Sequence, residues 1–162
     1  MALTIPIPGI AWVPIIMLWL GFGDLTIITV GIIAAFFPIL YNTLAGVKHV
    51  KKEMIWSARC MGADRKTIFL KIILPSSAPF ILTGLKLGLA RGWRTIIAVE
   101  MIAASLWGLG FMIFDARDYL QPSIIYGGII ILGCIYLLLE KLINFAESAT
   151  IKKWGMIRSE EV

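Results

Sequence analysis

Leu25 to Val47 reads LTIITVGIIAAFFPILYNTLAGV, 23 residues without a charge. A helix needs ~20 predominantly apolar residues to cross the hydrocarbon core of a bilayer, so this stretch decides the fold class: the chain is an integral membrane protein. A second uncharged run, Tyr119 to Leu139, is 21 residues long. Composition agrees, since 59% of the 162 residues are apolar and 15% are charged, against roughly 25% charged in soluble domains.

Downstream of the first run lies a basic stretch containing Lys48, Lys51, Lys52, Arg59, Arg65, Lys66 and Lys71. In a soluble protein the net charge of +5 would point to nucleic acid, which basic faces bind by releasing counterions. Flanked by apolar runs, the same charges read as a cytoplasmic loop under the positive-inside rule, and no nucleic-acid partner is expected. Upstream, about Ile5 to Leu20 is apolar but carries Pro6, Pro8 and Pro14, so it spans only if kinked. It has neither a basic leader nor an Ala-x-Ala site and is expected to stay in the mature chain. Gly21-Phe22-Gly23-Asp24 reads as a tight turn.

The segment from Ser76 to about Leu106 contains Lys86, Arg91, Arg94 and Glu100. Ser76 to Arg94 is expected to lie partly at the cytoplasmic interface, with charged heads snorkelling to water. A polar connection, Trp107 to Gln121, leads to the last span, and the tail carries Lys141, Lys152, Lys153 and Arg158. Two basic regions thus alternate with two poor in positive charge. The expectation is an all-α polytopic helical bundle with four spans (about 5–20, 25–47, 77–106 and 120–140), a loop over 48–75, a tail over 141–162, and both termini cytoplasmic.

Inside the loop, Met54, Ala58 and Met61 recur at helical spacing, Gly62 suits the left-handed residue that closes a helix, and Asp64 suits the N-cap of a second. Ile68, Phe69, Ile72 and Ile73 stripe that second helix, and Pro75 is expected to end it. An ordered connection of this length is either a solvated linker or a docking surface.

At this point the residues resemble a known family, the inner-membrane permease subunits of binding-protein-dependent ABC importers. That family's signature runs Glu-Ala-Ala, three residues, Gly, nine residues, Ile, one residue, Leu-Pro. Here Gly62 is followed by nine residues and then Ile72, Ile73, Leu74 and Pro75. The triplet falls on Trp56-Ser57-Ala58, so only the last alanine agrees, and Glu53, the nearest acid, lies one helical turn away. PIPGIAWVPIIMLWLGFGD from Pro6 to Asp24, AFFPILYNTLAGV, Pro79 to Glu100 and Gly108-Leu109-Gly110 look like the nitrate, taurine and aliphatic sulfonate branch. Members usually have about two further spans ahead of Ile5, so the resemblance implies a shortened permease or a start assigned inside a longer frame.

What the resemblance implies is a bacterial or archaeal inner-membrane subunit that docks a cytoplasmic ATPase through Glu53, Trp56, Ser57, Ala58, Arg59, Gly62, Ala63, Asp64, Ile72, Leu74 and Pro75. It implies a second permease copy, an extracytoplasmic substrate-binding protein, and a small anion or organic solute such as nitrate, sulfonate or taurine as cargo. The chain has no Gly-x4-Gly-Lys-Ser/Thr motif, so ATP and Mg are expected on the partner and no cofactor on this chain. A non-transporting membrane scaffold, or a permease remnant without function, is the rival expectation.

Other residues carry competing readings. Glu100 either lines the pathway or pairs with a neighbouring helix, because a mid-span carboxylate costs ~2.5–3.5 kcal/mol. Arg91 and Arg94 either attract an anionic substrate through paired guanidinium donors or anchor the helix at the interface. Gly84, Gly88 and Gly92, four residues apart, let another backbone approach, within the chain or across a homodimer. The six tryptophans and four tyrosines read as interfacial belt residues. Cys60, Cys134 and His49 show no disulfide, metal or catalytic spacing, and no nucleophile or metal constellation points to an enzyme.

Overall fold

The computed structural model describes residues 7–104 and 107–153, and every regular element among them is a helix. Ile5 and Pro6 of the first expected span, Ser105 and Leu106 of the third, and Arg158 of the tail lie outside the described residues. A 3-10 turn, Gly9–Trp12, runs into α1 (Val13–Leu20), followed by α2 (Asp24–His49) and α3 (Lys52–Cys60). Next, α4 (Arg65–Ile68) passes through a π-helical turn, Phe69–Ile73, into α5 (Leu74–Ala103); α6 (Leu109–Asp118) and α7 (Pro122–Lys153) complete the order. Asp24–His49, Arg65–Ala103 and Pro122–Phe145 are long and apolar enough to cross a membrane, whereas Gly9–Leu20 is apolar but shorter.

The helices α2 and α5 form an antiparallel pair in contact along most of their length, and small residues set their separation. Gly84 sits against Asn42 and Ile39, Gly88 against Ile39 and Ala35, and Gly92 against Ala35 and Gly31. A Cβ on Gly88 would come within 2.7 Å of Ile39 Cγ1 and 2.9 Å of the Ala35 carbonyl oxygen. From α2, Gly31 and Gly46 return the fit, the first against Ile96 and the second against Phe80 and Ser77. The glycine stripe is therefore covered by α2 of the same chain, which corrects the option that it faces a second copy. Close backbone approach is what small residues contribute where lipid removes the hydrophobic drive between helices.

At the end away from the basic loop, Val13, Ile16, Ile27, Val30, Val99 and Ala103 form a buried cluster that seats α1 on the pair. The Gly23 amide donates to the Ala103 carbonyl at 2.9 Å, and the buried Thr26 hydroxyl donates to Gly21 at 2.6 Å. The polar connection read from the sequence contains α6, whose Gly110, Ile113 and Ala116 recur every three residues and are buried. Gly128 of α7 accepts Ile113, since a Cβ there would stand 2.5 Å from Ile113 Cγ1. Beyond Gly128, α7 is mostly exposed, with Ile129, Ile130, Ile131, Leu137, Leu138, Leu142 and Phe145 uncovered.

Gly88→Ala is expected to push α2 from α5 and cost about 1–3 kcal/mol, as overpacking typically does. Gly127→Ala, with nothing within 4 Å of its Cβ position, gains about 1 kcal/mol of helix propensity. Thermal unfolding of the two variants in detergent, one melting below and one above the parent, checks both signs.

Candidate functional site

The basic loop folds as a corner. Helix α3 closes with the Gly62 amide donating to the Arg59 carbonyl at 3.0 Å and the Ala63 amide to Ala58 at 3.0 Å, the pair of bonds that terminates a helix on a left-handed residue. Gly62 supplies that conformation at φ +80. Two residues later, Asp64 Oδ1 accepts from the Thr67 amide at 3.0 Å and caps α4. Hydrogen bonding from the Thr67 side chain first, and its backbone N–H second, holds the Asp64 carboxyl below its ordinary value.

One expectation for the loop is corrected. Pro75 does not stop the second helix, because the preceding turn is π-helical: the Leu74 amide reaches back five residues to Phe69, and Pro75 sits in the first turn of α5. Proline lacks a donor and collides with the carbonyl four residues earlier, and a widened turn relieves such a collision. Arg65 to Ala103 is consequently one helical stretch. Met54 and Met61 share the helical spacing of Ala58 but not its burial. Ala58 is buried, but Met54 is 48% and Met61 80% exposed, and Trp56, Phe69 and Leu70 are exposed with them. Glu53, Ser57, Arg59, Gly62 and Asp64 also lie on the outside, while Ala63, Ile72, Leu74 and Pro75 are half-buried. The corner thus presents apolar side chains among Lys51, Lys52, Arg59, Arg65 and Lys66.

A cleft of ≈ 460 Å³ lies along the α2–α5 pair under the Gly9 turn. Arg91, Arg94 and Thr95 from α5 line it together with Tyr41 and Asn42 from α2 and Trp12. From Pro75 to Arg94 is 19 residues of helix, about 28 Å at 1.5 Å per residue, nearly one hydrocarbon thickness. Arg91 and Arg94 therefore stand about 24–28 Å along α5 from Pro75, well away from the basic corner. Neither guanidinium has an acidic partner among the described residues; Arg94 donates through Nε to the Ala90 carbonyl at 3.2 Å.

Glu100 is not in this cleft. Its Oε2 accepts the Gly110 amide at 2.8 Å, a contact across ten residues that satisfies the open N-terminus of α6 and places a negative charge at its dipole. Both glycines of Gly108-Leu109-Gly110 make room for it. A Cβ on Gly108, itself at φ +141, would stand 2.9 Å from Oε2, and one on Gly110 would stand 2.5 Å from the Ile97 carbonyl oxygen. The sequence held both halves of this contact, but nothing local joins an acid to an amide ten residues on.

Residues 1–153 match the family model described as the binding-protein-dependent transport system inner membrane component. The chain belongs to that family. It is 39% identical over 142 residues to a protein of Methanocaldococcus jannaschii named as an ABC transporter permease, covering 88% of this chain and 53% of that one. It is 40% identical over 135 residues to the taurine transport system permease protein TauC of Escherichia coli, covering 83% and 49%. With the nitrate import permease protein NrtB of Leptolyngbya laminosa it shares 34% over 145 residues, covering 90% and 52%. The chain spans about half the length of these curated relatives. Family membership and the long apolar helices together make this a membrane protein of the permease family, similar to proteins named for taurine, nitrate and aliphatic sulfonate transport, as the sequence resemblance implied.

Two outcomes follow from the site. Glu100→Ala removes the cap, and the α6 amides from Gly110 to Met112 should exchange faster with solvent deuterium, corresponding to about 0.5–2 kcal/mol, while exchange in α3 is unchanged. For Asp64 the folded value is depressed, so its stabilisation of the corner is present above the ordinary carboxylate value of 3.8 and is lost as pH falls through the lower folded value. Asp64→Asn keeps an acceptor without titrating, and the Thr67 amide chemical shift should then lose its acid-range step.

Proposed function

We propose that this chain forms part of the transmembrane pathway of an ATP-driven importer and couples to a separate cytoplasmic ATPase through the 48–75 corner. The observation that carries this reading is the continuity of the corner with a spanning helix. A push on α4 moves Arg65 to Ala103 as one body, with no flexible joint at Pro75 to absorb it. A two-state change biased by nucleotide on the partner then shifts the spans between outward and inward access.

The exposed face of the corner supports docking. Large apolar side chains in a basic frame, Trp56 above all, resemble the aromatic and apolar anchors that dominate protein interfaces. Trp56 stands where the family has an acid, so the contact at that point is apolar rather than polar. ATP and Mg belong to the partner in this reading, the chain itself performs no chemistry, and a second permease copy and an extracytoplasmic binding protein complete the assembly. The loop and the C-terminal tail lie on the cytoplasmic side by their charge. The cargo is a small oxyanion, in line with the taurine and nitrate named for the relatives.

The test is retention of the ATPase by a tagged chain coexpressed with it. Gly62→Ala forces a Cβ into the left-handed region at about 1–2 kcal/mol, and Trp56→Ala removes an anchor whose loss in interfaces exceeds about 2 kcal/mol. Each should lower the retained ATPase at least severalfold, with the chain still membrane-inserted. If the parent chain retains no ATPase and neither substitution matters, the scaffold or remnant reading replaces this one.

A further inference from the structure

We infer that the Arg91–Arg94 cleft is a binding site for a small organic oxyanion, a sulfonate or carboxylate with a short apolar body, on the membrane path of this permease. The inference rests on the permease reading for its context, but its evidence is the depth, exposure and lining of the cleft.

Depth comes from the helix register. Gly92 meets Ala35 and Gly31, and Gly88 meets Ile39 and Ala35, which sets Arg91 level with residue 34. The uncharged run of α2 extends from Leu25 to Val47, so Arg91 lies about 14 Å from one end of it and about 20 Å from the other, at 1.5 Å per residue. Arg94, one turn on, stays within the apolar zone. A cation at such depth is costly unless it faces water or a counter-charge. Arg91 and Arg94 are both exposed; Arg91 makes no hydrogen bond or ion pair among the described residues, and Arg94 bonds only the Ala90 carbonyl.

The lining supplies the specificity. Leu87, Arg91, Arg94 and Thr95 line the same cleft from one face of α5, so two guanidinium groups and a hydroxyl border one volume, where a planar or trigonal oxyanion can take paired donors. The rest of the wall includes Trp12, Ile33 and Phe37, an apolar surface that a bare inorganic ion would leave uncovered. The volume of ≈ 460 Å³ accommodates an anion together with its hydrocarbon portion. A pathway site needs affinity enough to admit cargo and openness enough to release it, and an open cleft has both.

The permease, assembled with its ATPase in liposomes, is treated with phenylglyoxal, and modification of each arginine is followed by peptide mass spectrometry. Ethanesulfonate should slow modification of Arg91 and Arg94 by about tenfold, equivalent to ~1.4 kcal/mol, and leave Arg59 and Arg65 of the basic loop unchanged. Nitrate at equal concentration should protect less. In Arg94→Lys, which keeps the charge but loses the fork, the ethanesulfonate needed for half-protection of Arg91 should rise about tenfold. Absence of protection, equal protection by chloride at the same ionic strength, equal slowing at Arg59, or protection by nitrate matching that by ethanesulfonate overturns the inference. ATPase retention is measured on the same preparation: retention without protection sinks the anion site alone, and protection without retention sinks the coupling proposal alone.

Discussion

The rest of the structure hangs on the glycine seam between α2 and α5. Without side chains at residues 84, 88 and 92, the backbones come close enough that a methyl group at Gly88 would meet the Ala35 carbonyl oxygen at 2.9 Å. In lipid, where apolar burial gives little drive to associate, that proximity supplies the dispersion and weak polar contacts that hold two helices together. The seam also fixes an antiparallel register. Every other feature is positioned relative to that pair: the buried cluster under α1 at one end, the corner at the other, and the cleft along its flank.

The register turns the loop into more than a connection. A helix that ended at Pro75 would leave α3 and α4 hanging on a hinge, free to move without moving the membrane segment. The π turn from Phe69 to Ile73 removes that hinge by widening just ahead of the proline, so the chain keeps its helical direction from Arg65 to Ala103. At the far end of the same helix, Glu100 clasps the start of α6. The corner is thereby joined along α5 to an element at the opposite end of the bundle, through continuous helix and one hydrogen bond.

Much of this was legible in the sequence. The uncharged run of α2 declared a spanning helix by length alone, Gly62 and Asp64 declared a corner by local turn chemistry, and the spacing to Pro75 pointed to the family. What escaped was everything that depends on tertiary pairing. The propensity rule that proline ends a helix is local, and a π turn overrides it at a cost the sequence does not display. The charges within α6, Asp115, Arg117 and Asp118, disguised its three-residue repeat of Gly110, Ile113 and Ala116 as a polar connection. Glu100 read as a pathway-lining or helix-pairing acid because its partner is a backbone amide, which no side-chain pattern can announce.

Arg91 and Arg94 show the same limit from the other side. By sequence they sit sixteen and nineteen residues past Pro75, and snorkelling toward the basic loop was the less costly assumption while the helix start was unknown. With α5 continuous with α4 and packed along α2, the two arginines stand ~24–28 Å along the helix from the Pro75 level, farther than the several ångströms a side chain reaches. Since Leu87 and Arg91 each lie one residue before a seam glycine, the close packing that buries Gly88 and Gly92 is also what sets these side chains along the flank of the seam. Helix association and charge placement are therefore one constraint, and a change in the separation of α2 and α5 would alter the cleft directly.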